Sequence, residues 1–219
     1  MLSSSARLSF MEKYRLGCVT QFEGAFQEGA KKILEVFTTE QYHEEKSEYR
    51  FNRKNGYYRD TLSRNGKGSL VKSGTGLIWS VFRPSDDACT YGYLIPFNMF
   101  AVAALGYLEE MEREIFHNEE LAEKAKSLKE EVKEAIETIG KTFTEEFGMV
   151  YAYETDGFGM YNLMDDANVP SLLSMSYLGY EGDREVSANT RRFLLSEANP
   201  FYFKGCKAAG IGSPHSEQT

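Results

Sequence analysis

The sequence predicts an all-α fold assembled from αα-hairpins, interrupted by a short β-hairpin near residues 149–162. Apolar residues recur at three- and four-residue steps over 19–43. The same stepping runs over 95–115 and 119–146, with a short polar break between, and apolar and polar residues alternate around Asp156-Gly157. A length of 219 residues with 42% hydrophobic content suffices for one core and is short for two, so residues 1–219 read as a single unit.

The first helix is expected over 19–43, where Val19, Phe22, Phe26, Ala30, Ile33, Leu34 and Phe37 form one stripe. From His43 to Asp86 the stepping gives way to charged, aromatic and Gly-rich sequence. Its turn signals are Asn55-Gly56, Asn65-Gly66 and Gly74-Thr75-Gly76, and a structured loop of that length is usually functional. Residues 95–115 open with Pro96 at a helix start and read as a largely buried helix. His117-Asn118 breaks it, and 119–146 reads as a second helix with Leu121, Ala125, Leu128, Val132, Ile136 and Ile139 on one face. A short polar link between long helices makes them an antiparallel pair. Helix is expected again over 169–177 and 183–196. Residues 199–219 are Gly-rich and unperiodic.

A formal net charge of -8 argues against a nucleic-acid partner, because phosphate binders cluster Lys and Arg. Cys18, Cys89 and Cys206 lack the paired spacing of a disulfide framework or a zinc site, so a reduced, cytoplasmic setting is expected. No apolar run reaches membrane-spanning length, and residues 1–15 lack a secretory apolar stretch. Neither a membrane partner nor export is expected.

Three segments concentrate chemistry. Phe82-Arg-Pro-Ser-Asp-Asp-Ala-Cys-Thr-Tyr-Gly-Tyr sets Arg83, Ser85, Asp86 and Asp87 just ahead of a buried helix. Either one of these polar groups caps a turn while Arg83 pairs with a carboxylate, or burial raises one Asp into a catalytic acid. Met164-Asp-Asp-Ala-Asn-Val-Pro-Ser brings Asp165, Asp166 and Asn168 before Pro170, where capping of a helix again competes with a site role. Gly210-Ile-Gly-Ser-Pro-His adds Ser213 and His215 on a turn. His43, His117 and His215 share no metal-ligand spacing, and neither a nucleophile elbow nor a phosphate loop is present. Carboxylate chemistry remains, and glycoside cleavage uses it.

These three segments, in this order, resemble motifs of glycoside hydrolase family 125. The likeness extends through Tyr49-Arg-Phe, Asn65-Gly-Lys-Gly, Asp156-Gly-Phe-Gly and Asn199-Pro-Phe-Tyr-Phe. The resemblance implies an (α/α)6 barrel and inverting, exo-acting release of terminal α-1,6-linked mannose, with α-mannoside glycans as partners and neither metal nor cofactor. It places the general acid at Asp86 or Asp87, with Asp86 preferred, and Arg83, Ser85, Asp165, Asp166, Asn168, Ser213 and His215 in the substrate site. Ser176, where the family usually has Pro, and the run Lys204-Gly-Cys-Lys-Ala-Ala-Gly depart from the pattern.

The family's segment bearing the base, a glutamate, has no counterpart in this sequence, and about half of the barrel's twelve helices are legible. The expectation is therefore a single partial catalytic domain with N- and C-terminal parts of the barrel missing. It should be weak or inactive alone, open to a complementing chain or to self-association through exposed helix faces. A non-catalytic carbohydrate-binding or interaction module is the alternative, and a helical-barrel glycosidase acting on another sugar is a second one.

Overall fold

The computed structural model describes residues 25–54 and 61–215. Within them the protein is mostly helical, with three small antiparallel sheets in place of the single hairpin expected. α1 (Ala25–Glu40) buries Ala30 and Leu34; the predicted helical residues 19–24 lie outside the described residues. Two short turns of helix follow, α2 (His43–Lys46) and α3 (Ser63–Gly66), in a long connection that is otherwise irregular, as its composition foretold.

β1 (Tyr93–Leu94) leads directly into α4 (Ile95–Glu114), which starts with Pro96 in its first turn. α5 (Glu119–Ile139) follows, capped by the Asn118 side chain accepting from the Leu121 N–H at 3.2 Å. Met99, Val102, Leu105 and Leu108 of α4 meet the Leu121, Ala125, Leu128, Val132 and Ile136 stripe of α5 in one core. The pair is antiparallel: Arg113 near the end of α4 bonds Glu119 at 3.0 Å and Glu123 at 3.1 Å near the start of α5, while Glu109 pairs with Lys129 farther along. Each fully buried Leu or Ile side chain contributes about 1.5–3 kcal/mol.

α5 stops at Ile139, short of the predicted 146. Gly140 closes it, and Lys141-Thr-Phe-Thr then forms β2 (Lys141–Thr144), whose β-branched threonines suit a pleated surface. Gly148, at φ 80°, turns the chain into β3 (Gly148–Tyr151), which runs back along β2 with Thr142 opposite Val150. The expected hairpin over 149–162 therefore divides in two. Its first part pairs backwards, and only β4 (Glu154–Thr155) and β5 (Tyr161–Asn162) close around Asp156-Gly157, with β1 on the other side of β4. Asp156 fixes that turn by accepting from the N–H groups of Phe158 and Met160 at 2.8 and 3.0 Å.

The helix expected over 169–177 shrinks to α6 (Met175–Leu178). Val169–Pro170 is a cis bond, and a serine-paired turn precedes the helix, with the Ser171 N–H donating to Ser174 Oγ at 2.8 Å. α7 (Arg184–Leu194) is capped by Asp183 and packs on β3, where Thr190 Oγ1 accepts from the Tyr151 N–H at 2.9 Å. The supposedly irregular tail contains β6 (Tyr202–Lys204) and β7 (Ala209–Ile211), antiparallel, with Tyr202 opposite Ile211.

Between α1 and α4 a groove of ≈ 430 Å³ is lined mainly by apolar side chains, among them Ile33, Phe37, Phe97, Phe100 and Leu108. Among the described residues no helix is long and apolar enough to cross a membrane.

Candidate functional site

The Arg83–Asp87 segment is a tight loop. The Arg83 N–H donates to the Asp87 carbonyl at 2.8 Å, the Asp86 N–H donates to the Arg83 carbonyl at 3.0 Å, and Phe82 bridges Ala88. Closing so small a loop forces Asp86 into left-handed backbone at φ 67°, which a non-glycine residue adopts at a cost of about 1–3 kcal/mol. The conformation separates the two neighbours. Asp86 is exposed, whereas Asp87 is only 5% exposed and faces inward. Asp87 Oδ2 accepts from Ser85 Oγ at 3.0 Å and lies 3.3 Å from His215 Nε2.

His215 reaches Asp87 because the β6–β7 hairpin folds its trailing residues back. The Ala167 N–H donates to the Gly212 carbonyl at 3.0 Å, and Asn168 Nδ2 donates to Ser213 Oγ at 2.9 Å. Asp166 Oδ1 in turn accepts from the Asn168 N–H at 2.8 Å. Ser85, Asp87, His215, Ser213, Asn168 and Asp166 thus form one connected patch although they are up to 130 positions apart in the sequence. Helix capping does not account for the second cluster, since α6 begins only at Met175.

Arg83 and Asp87 line a cavity of ≈ 610 Å³ together with Ser63, Ser69, Thr90 and Phe201. Arg83 does not pair with either Asp of its own loop. Its Nε and Nη2 donate to the two oxygens of Glu154, at 2.6 and 3.0 Å, and Nη2 also donates to Thr90 Oγ1 at 3.0 Å. Burial works against the guanidinium charge, but the fully buried Glu154 carboxylate outweighs it and holds the Arg83 pKa above its usual value. Burial also pushes the Cys89 thiol well up, so this cavity-lining sulfur stays protonated and a poor nucleophile.

Asp165 and Asp166 sit deeper. Asp165 is fully buried, and its Oδ2 accepts from the Leu173 N–H at 3.0 Å. Asn199 grips its backbone from both sides, at 3.2 and 3.1 Å. Burial drives the Asp165 pKa up to about 7, against the pull of the Leu173 and Leu172 N–H groups. Burial likewise raises Asp166, while the Asn168 N–H and Arg83 oppose it. Asp165 Oδ1, Asp166 Oδ2 and the Tyr153 hydroxyl are buried without a hydrogen-bond partner among the described residues. Burial and the nearby Asp166 and Asp165 charges raise the Tyr153 pKa. Of the sequence-predicted set, Asp165 is placed behind the patch, as a support for the backbone, and Asp86 outside it.

Sequence reading missed Glu154 and Asn162, and it marked Asn199 only as part of the Asn199-Pro-Phe-Tyr-Phe motif. A signal for Glu154 existed: a lone carboxylate within Tyr151-Ala-Tyr-Glu-Thr, where every other residue suits a buried strand. Among the described residues no group of three or more acidic, His or Cys side chains is arranged to hold a metal ion.

The sequence matches the family of metal-independent α-mannosidases over residues 3–219. A solved relative, a metal-independent α-mannosidase of Streptococcus pneumoniae in a non-productive substrate complex with α-1,6-mannobiose, is 41% identical. It superposes with a TM-score of 0.93 over 99% of this chain and 51% of its own. The Meiotically up-regulated gene 157 protein of Schizosaccharomyces pombe is 44% identical over 169 residues, which is 76% of this chain and 33% of that protein. The chain spans half the length of the first and a third of the second.

Proposed function

Because the chain belongs to the metal-independent α-mannosidases of glycoside hydrolase family 125, we propose that its patch around Asp87 binds a non-reducing terminal α-1,6-linked mannose and supplies the acid for inverting hydrolysis. The observation that carries this reading is the convergence of Ser85, Asp87, Asp166, Asn168, Ser213 and His215 from three distant segments. The mannobiose complex of the S. pneumoniae relative supports the choice of sugar.

In this reading Asp87, rather than the exposed Asp86, is the general acid. As general acid, the Asp87 carboxyl carries the proton that the leaving oxygen takes up. The proton passes to the glycosidic oxygen as the C–O bond breaks, and water attacks the anomeric carbon from the opposite face under a second carboxylate about 6.5–9.5 Å away. Arg83, Asn168, Ser213 and His215 supply hydrogen bonds to the sugar hydroxyls. The base expected from the family is a glutamate outside this chain's motifs, and the helices packed here are one part of an (α/α)6 barrel. A cytoplasmic setting belongs to the same proposal and accords with the free thiols of Cys89 and Cys206.

The test is hydrolysis and binding of α-1,6-mannobiose by the purified chain with a chelator present, beside Asp86→Asn and Asp87→Asn. Turnover lost only in Asp87→Asn supports the assignment, and loss only in Asp86→Asn moves the acid to its neighbour. Binding without turnover makes the chain a carbohydrate-binding module, and no binding by the folded wild type rejects the sugar site.

A further inference from the structure

Glu154 has no place in the chemistry above, yet it is fully buried and accepts five hydrogen bonds. Arg83 Nε reaches Oε1, while Arg83 Nη2, the Thr90 and Tyr91 N–H groups and Asn162 Nδ2 reach Oε2 at 3.0, 3.2, 3.2 and 3.1 Å. A strand residue of a three-stranded sheet has no folding need for such a cluster. An apolar side chain would fill the position without the desolvation cost of a carboxylate.

Four of the five bonds come from the two ends of one loop. Arg83 is the first residue of the loop that carries Ser85, Asp86 and Asp87, and Thr90 and Tyr91 close it. Asn162, on β5, anchors the carboxylate from the opposite side in register with Glu154 on β4. The geometry points to Glu154 as a positioning residue: one carboxylate clamps both ends of the acid-bearing loop onto the β1–β4–β5 sheet and aims the Arg83 guanidinium along the cavity wall. The strain at Asp86 gives the clamp its purpose, because a loop with left-handed backbone at a non-glycine residue relaxes unless its ends are held. This inference rests on the proposed function for the loop's task, but the clamp itself is a matter of geometry.

Two measurements on the whole chain test it. Amide hydrogen exchange reads the loop directly, and titration with α-1,6-mannobiose reads the site. The variants are Glu154→Gln, Glu154→Asp and, as a control, Glu137→Gln. Glu137 is another half-buried carboxylate, holding Tyr151 and Tyr180 hydroxyls at 2.7 and 2.6 Å and Lys141 at 3.0 Å, and it does not touch the loop. Glu154→Gln is expected to raise exchange across 83–91 and to weaken mannobiose binding about tenfold or more, as small misplacements of site groups do. Glu154→Asp, which keeps the charge, recovers part of both, and Glu137→Gln alters neither.

The clamp is overturned if Glu154→Gln lowers stability as Glu137→Gln does while leaving loop exchange and affinity at wild-type values. If Glu154→Gln fails to fold, Glu154→Asp decides alone: raised loop exchange with weaker binding supports the clamp, and wild-type behaviour rejects it. A wild-type chain that does not bind mannobiose removes the proposed function. Loop exchange still rules on the clamp, raised exchange confined to 83–91 upholding it and unchanged exchange refuting it.

Discussion

In the α4–α5 hairpin the buried atoms are mostly hydrocarbon. Leu105, Leu108, Val132 and Ile136 belong to one core shared by the two helices, and the Arg113 pairs with Glu119 and Glu123 lie at the rim in water. In the neighbouring cluster of short strands and loops, the buried atoms include the Arg83–Glu154 pair, Asp165, Asp166 and Asn199. The first region tolerates exchange among apolar side chains of similar volume, since its cohesion is spread over many weak contacts. The second depends on a few directional bonds, and removing one partner strands the other in a medium that cannot solvate it. Precision at a site is obtained by accepting that fragility.

The sharpest way to break this contrast is Glu154→Ala, which leaves the Arg83 guanidinium without its partner. We expect a loss of about 3–5 kcal/mol in urea unfolding, and a loss no greater than that of a conservative core change would erase the difference between the regions. Next is the ionisation of Asp165. Its folded pKa of about 7 lies above the ordinary value of 3.8, so the folded state holds its proton more tightly. Its contribution is fully present below about pH 4 and is lost as pH rises through about 7, by up to ~4 kcal/mol. Unfolding of wild type and Asp165→Asn should therefore diverge with pH across that window, and parallel profiles would show that Asp165 is not protonated in the fold.

Ile136→Val, in the middle of the hairpin core, should cost about 1 kcal/mol by thermal unfolding. A much larger loss would mean that the hairpin is as exacting as the site. The smallest effect is expected from Arg113→Ala. Its bonds to Glu119 and Glu123 are exposed on the helix surface and only that to Glu109 is part-buried, so any drop in Tm should be slight and should fade as salt is added. A salt-insensitive drop would place those pairs with the buried class.

The sequence disclosed the two regions unequally. α4 and α5 were legible to within a turn at three of their four ends, because helix periodicity, Pro96 and the Asn118 cap are local signals. The fourth end, at Ile139, was misread because Thr142-Phe-Thr is compatible with the helix stripe and only pairing with Met149-Val150 makes it a strand. The helix expected at 169–177 failed for a similar reason: the apolar Leu172 and Leu173 fit a helix pattern but belong to a turn tied to Asp165 and Ser174. The candidate site was legible as three motifs whose residue types suit carboxylate chemistry. Their closure into one patch was not, and neither was Glu154, whose partners lie up to 71 positions away.

By itself the sequence determined the mostly helical character, the α4–α5 pair and the three site segments, since hydrophobic periodicity and motif order are carried along the chain. The tertiary structure alone decided that Asp87 faces His215 while Asp86 faces water, that Asp165 holds its proton near neutrality, and that Glu154 ties down the loop. Each of those depends on burial and on partners distant in sequence, and the dielectric and hydrogen-bond surroundings of a carboxylate do not exist until the chain has folded around it.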